Sequence, residues 1–165
     1  MLRYLCLFMT LVISQSLWGQ APPSTGNGFF EDSCQALGSG WSRMVSLGDI
    51  DGDGDLDALV ANDGGQQNKV WINQGGDQTG SPGQFLYSGQ SLGESGQCIS
   101  LGDLDGDGDL DAIVARYSSP NKVWINQGGN QSGTPGQFLD SGQALGGSNS
   151  WDIALGDVDG DGDLD

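Results

Sequence analysis

Three segments of this chain carry a density of carboxylates that calls for a counter-ion. They read DIDGDGDLD at residues 49–57, DLDGDGDLD at 103–111 and DVDGDGDLD at 157–165, and they hold 15 of the 22 acidic residues. In each, aspartate occupies loop positions 1, 3, 5, 7 and 9. The residues are Asp49, Asp51, Asp53, Asp55 and Asp57; Asp103, Asp105, Asp107, Asp109 and Asp111; and Asp157, Asp159, Asp161, Asp163 and Asp165. Five carboxylates held within a few ångströms repel one another, and neutralising them by protonation at pH 7 is costly. A hard divalent cation removes that repulsion. Calcium takes about six to eight oxygens in flexible geometry, which a single loop of this kind can largely supply. Magnesium, which prefers a small octahedron and keeps its waters, fits less well. Zinc and copper are disfavoured by the absence of histidine and the placement of the cysteines. On this reading positions 1, 3, 5 and 9 bind through side chains. Position 7 (Asp55, Asp109, Asp163) binds through its carbonyl and leaves its carboxylate to water or outer contacts. Glycine at position 6 (Gly54, Gly108, Gly162) turns the chain sharply around the ion. The segments are not EF-hands, because position 12 is Val60 or Val114 where that motif needs a bidentate glutamate.

The elements that must position these loops repeat with them. Asp51, Asp105 and Asp159 are spaced 54 residues apart. NKVWINQ occurs at residues 68–74 and again at 121–127; GGDQTGSPGQF at 75–85 matches GGNQSGTPGQF at 128–138. SGQSLG at 88–93 matches SGQALG at 141–146, with SCQALG at 33–38 upstream. The one-residue length difference falls at Ser118, Ser119 and Pro120, so a loop is expected there. Within a unit, residues 99–102 read as a strand entering the Asp loop, and 110–115 as a short buried strand. Residues 122–126 read as a third strand rich in Val, Trp and Ile, and 128–136 as a Gly/Ser/Pro loop. A fourth strand begins at 137–140, and 141–146 is expected to turn toward the next unit. Four short antiparallel strands per period suit one blade of a β-propeller. The fold class is therefore all-β, as about two and a half blade-type repeats.

Composition narrows the partners. The net charge is −17 with only five Lys and Arg, which excludes a nucleic-acid-binding surface. Residues 1–19 read as a secretory signal peptide, with Arg3 before an apolar run from Tyr4 to Ile13. Residues 20–28 read as a short linker, and 29–165 as the repeats. The apolar run is too short and too interrupted for a transmembrane segment. Export permits a disulfide between Cys34 and Cys98, but they occupy different places in the repeat and no chemistry is assigned to them. Trp71 and Trp124, one per unit, are expected to fill the gap between blades in preference to forming a sugar platform. Lys69 and Lys122 are expected to be solvated strand-edge residues. Asn130 opens a glycosylation sequon.

The unit resembles the FG-GAP/VCBS repeat, the blade of integrin-α-like propellers. The resemblance rests on the D-x-D-G-D-G-x-x-D loop, the LVA or IVA strand after it, N-x-V-W-x-N and the late G-Q-F, and it covers residues 29–165. It implies calcium bound in a β-hairpin of each blade, through the fifteen aspartates named above. It also implies ligand contact through loops on a propeller face away from the ions. A propeller of seven blades needs about 380 residues at this period, so the chain is expected to be a truncated propeller. The function implied is a secreted or cell-surface, non-enzymatic binding or adhesion module with structural calcium, meeting an extracellular protein or carbohydrate. Two alternatives stand beside it: the non-catalytic portion of a larger secreted enzyme such as a polysaccharide lyase, and a calcium-stiffened spacer. Without histidine, no His-based triad or zinc protease motif exists here.

Overall fold

Apolar β-formers alternate over short runs, and Gly-rich turns separate them, so the chain folds into meandering sheets. The computed structural model describes residues 32–78 and 80–165; the expected signal peptide and linker lie outside them. Within the unit Cys34–Asp165 there are two four-stranded antiparallel sheets. The first runs in the order β1 (Ser42–Gly48), β2 (Asp57–Asn62), β3 (Gln67–Asn73), β4 (Phe85–Glu94). The second repeats it with β5 (Gly96–Gly102), β6 (Asp111–Arg116), β7 (Asn121–Asn126) and β8 (Phe138–Leu145). These are two successive propeller-type blades, followed by the third Asp loop. Among the described residues no helix is long and apolar enough to cross a membrane.

The fourth strand departs from expectation. Residues 141–145, read as a turn, are strand, and only Gly146 lies beyond. The turn-like SGQ sequence is absorbed as an irregularity: the β7–β8 register shifts between Lys122 and Trp124, and Asp140 Oδ1 accepts from Gly142 N at 2.8 Å. A bulge of this kind lets a strand carry Gly without ending its pairing. The shortened turn lies where expected, between β6 and β7.

The core lies between the sheets. Ile50, Leu59, Ala61, Val70 and Leu92 of the first meet Ile99, Ala112, Val114 and Phe138 of the second. Every residue of β2 is buried, as befits an inner strand packed on both faces. Polar clamps recur across the seam. Gln90 of β4 donates to Gly136 O (2.6 Å) and accepts from Phe138 N (2.9 Å) of the next unit. Gln35, at the same place one unit earlier, does this to Gly83 O and Phe85 N. Ser46 Oγ donates to Ile99 O, and Ser100 Oγ repeats the bond to Ile153 O at 3.0 Å. The tryptophans sit at this seam. A Cβ added to Gly93 would lie 3.6 Å from the Trp124 ring, and one added to Gly38 3.7 Å from Trp71. The lysines are not simply solvated: Lys69 Nζ lies 5.2 Å from the Tyr87 ring centroid, and Lys122 pairs with Asp140 at 3.0 Å. Cys98 is buried, donates to Asp152 Oδ1 at 3.2 Å, and has its thiol pushed up by burial.

Equivalent leucines show what the seam contributes. Leu92 is 2% exposed, whereas its counterpart Leu145 is 41% exposed, in an open cleft that it shares with Leu155, Leu164 and Asp165 of the third Asp loop and its approach. Leu92→Ala should therefore cost about 3 kcal/mol, and Leu145→Ala under about 1 kcal/mol, in urea denaturation. Equal losses would mean that the seam is not the core.

Candidate metal centre

Each of the first two Asp loops is the connection of an inner hairpin. Gly48 pairs with Asp57 and Gly102 with Asp111, so the ladder closes directly beneath the loop. The loop is organised by its first aspartate. Asp49 Oδ1 accepts from Gly52 N (2.9 Å) and Asp53 N (3.0 Å), and Oδ2 from Gly54 N (3.0 Å). Asp103 does the same with Gly106, Asp107 and Gly108, and Asp157 with Gly160, Asp161 and Gly162. Position 6 takes φ of +96°, +99° and +101° in the three loops, a conformation that only glycine adopts without strain. One loop conformation thus recurs three times, even in the exposed third copy.

The loops bring carboxylate oxygens within 4.8 Å of one another in three groups: Asp49, Asp51 and Asp53; Asp103, Asp105 and Asp111; and Asp157, Asp159 and Asp165. Positions 1 and 3 are common to all, and the third member is position 5 or 9. Position 7 appears in none, in keeping with a carbonyl role. Its carboxylate is not left to water, however. Both oxygens of Asp55 and of Asp109 are shut off from solvent without a hydrogen-bond partner. They press on Gly75 and Gly128, where an added Cβ would collide with them.

Position 9 plays a second part. Asp57 is fully buried; its Oδ2 accepts from Ile50 N (3.0 Å) and its Oδ1 from Asn73 N (2.8 Å). Asp111 accepts from Leu104 N (2.9 Å) and Asn126 N (2.8 Å). This residue ties the loop to the third strand through the chain's own hydrogen bonds. Burial pushes the Asp57 carboxyl up to about 6 and raises Asp111 as well. Burial, followed by the neighbouring charge of Asp107, pushes Asp109 to about 6. Asp51, Asp55 and Asp105 are raised, by burial first and by neighbouring aspartates second.

These residues fit a hard divalent cation. Asp51 Oδ1 and Asp53 Oδ2 are buried and unpartnered, as are the position 7 oxygens. The ion pairs among the described residues, Arg43–Asp63 and Lys122–Asp140, engage none of the loop aspartates. Orphaned carboxylate oxygens without a protein cation are groups whose burial a hard divalent cation would offset.

Residues not singled out from sequence complete the frame. Asn126 Nδ2 donates to Leu110 O (3.2 Å) and, across the seam, to Ile50 O (2.8 Å) in the preceding Asp loop. Its Oδ1 accepts from Gly136 N at 2.9 Å. Asn73 holds Leu56 O and Gly83 N likewise. Asn68 accepts from Asn62 N and Gly96 N and donates to Leu92 O. Their signal was present, since the asparagines flanking V-W recur in both units.

Tandem four-stranded blades, each with an aspartate-lined loop on its inner hairpin, define a propeller-repeat protein. The family model for the FG-GAP-like repeat matches residues 49–114 and 103–165, and the chain belongs to that family. Repeats of this family are typically extracellular and generally non-catalytic. Neither a curated protein nor a solved structure matches the chain.

Proposed function

We propose that this chain is a calcium-binding module of an extracellular protein, in which each ion fixes an inner hairpin and, through it, the blade. The observation that carries this reading is the recurrence of preorganised Asp loops with buried, unpartnered carboxylate oxygens in two framed units. The ligands would be Asp49, Asp51, Asp53 and Asp57, with the carbonyl of Asp55, and their counterparts in the second and third loops. Calcium supplies charge neutralisation and cross-linking here. The chain's own residues shape the loop and tie it to the third strand. Binding of an extracellular protein or carbohydrate would fall to blade loops away from the ions, with no catalytic step in this segment. Residues 1–19 would direct secretion.

Calorimetric titration of the metal-free chain with calcium tests this. The expected result is saturable binding of one ion per Asp loop, with a gain of β-structure in circular dichroism that EDTA reverses. No heat and no spectral change at millimolar calcium would overturn the reading.

A further inference from the structure

The loops joining β3 to β4 and β7 to β8 fold back onto the Asp loops, and the short 3-10 turn in each ends on a glutamine: Gln78 in Gly76–Gln78 and Gln131 in Gly129–Gln131. Gln78 Nε2 donates to Asp51 Oδ2 at 2.5 Å, and Gln131 Nε2 donates to Asp105 Oδ2 at 2.5 Å. In both, the other end of the amide is stranded. Gln78 Oε1 and Gln131 Oε1 are shut off from solvent and have no hydrogen-bond partner among the described residues. A buried amide oxygen without a donor is a cost of about 1–3 kcal/mol. Here it recurs at the same position of two units whose surrounding loop residues differ, DQTGSP against NQSGTP. In the first unit the neighbouring Asp51 Oδ1 is stranded as well.

We propose that Gln78 and Gln131 are cation ligands contributed from outside the Asp loops. Each Oε1 gives the ion a neutral oxygen, and each Nε2 holds the position 3 aspartate in place. The proposal rests on the calcium reading above and deepens it. The chemistry favours an amide at this point. The loop carboxylates already exceed the charge of one divalent ion, so a further carboxylate would add repulsion. An amide oxygen fills a coordination position without adding charge. The ion would then bridge the inner hairpin to the outer half of the blade.

The test uses the full chain and two double variants, Gln78→Met with Gln131→Met, and Gln78→Glu with Gln131→Glu. Methionine keeps length and packing but offers no hard oxygen. Glutamate keeps an oxygen but loses the N–H that holds Asp51 or Asp105. Calcium affinity is measured by calorimetry, and terbium is substituted so that luminescence lifetimes in H2O and D2O count bound waters. If the glutamines are ligands, the Met variant weakens binding at two loops by about tenfold or more and gains about one water per altered site. The Glu variant keeps the wild-type water count, and its affinity, lowered by the added charge and the lost N–H, stays above that of the Met variant. Met-variant affinity and water count equal to wild type would overturn the proposal. So would a Glu variant as weak as the Met variant with both water counts unchanged, because the glutamines would then only position Asp51 and Asp105. A wild-type chain that binds no calcium would overturn the calcium reading and this proposal together. Wild-type binding with unaffected variants would overturn this proposal alone.

Discussion

Adding calcium to the metal-free chain is expected to raise its thermal midpoint by roughly 10–20 °C, and EDTA to return it. A ligand at a hundredfold its Kd contributes about 2.7 kcal/mol per site, and two framed loops are available. Magnesium at equal concentration should do much less. The pH dependence of this effect has a definite sign. Asp57 and Asp109 are held at about 6, above the usual aspartate value of about 3.9. A carboxyl whose folded value is raised binds its proton more tightly in the folded chain. Its contribution is most favourable below about pH 4 and is lost as pH rises through 6. Metal-free chain should therefore melt higher at pH 5 than at pH 7.5, and the net charge of −17 pushes the same way. Asp63, held low by Arg43, and Asp140, held low by Gly142 N–H and Lys122, act in the opposite sense, but only below about pH 4. Calcium reverses the trend. A bound ion would compete with the proton on the Asp57 carboxylate and would repel, by its charge, the proton on nearby Asp109, so its affinity should fall about tenfold per pH unit below 6 for each proton displaced. A metal-free midpoint that stays flat or rises from pH 5 to 7.5 would show that these carboxylates are not buried as described.

The second large effect needs no metal. Asp111→Ala is expected to cost about 3–5 kcal/mol in EDTA, because it leaves the part-buried N–H of Leu104 and the buried N–H of Asn126 without an acceptor. Asp57→Ala should behave alike through Ile50 and Asn73. The contrast is Asp165, at the same loop position but exposed, where alanine should cost under about 1 kcal/mol in EDTA. Urea midpoints of the three variants decide the matter. If Asp111→Ala matched wild type without calcium and lost only the calcium increment, position 9 would be a ligand and nothing more.

The structural ties of position 9 explain why the site was only partly legible in the sequence. The aspartates, their period and the position 6 glycines announce themselves, because the conformation of each loop is set locally within nine residues. The inner strands were equally plain from runs such as ALVA and AIVA. What escaped depends on partners far along the chain. Asp57 meets the N–H of Asn73 only after β2 and β3 pair, and Asn126 grips Ile50 across 76 residues. Gln78, Gln131 and Gln90 lie in loop-like, Gly-rich stretches whose composition predicts turns. They serve as clamps only because a neighbouring Asp loop presents a carboxylate to Gln78 and Gln131, and the next blade presents its backbone to Gln90. The misjudged 141–145 segment has the same cause: Ser-Gly-Gln favours a turn in isolation, and pairing to β7 overrides it.

The Gln90 clamp also has a consequence for symmetry. The amide reaches from the fourth strand of one blade to the Gly136 carbonyl and Phe138 N–H of the next, and Gln35 repeats the same reach one unit earlier. Front and back of a blade are thus different surfaces, one offering the glutamine and the other the backbone that receives it. A two-fold axis would set like against like and satisfy neither. Blades can stack only head to tail, each presenting the face that the last one needs, so the interface extends by translation and rotation in a single direction. Duplicating a unit reproduces a matched pair of faces without redesign, and both copies in this chain carry the same SGQ and GQF.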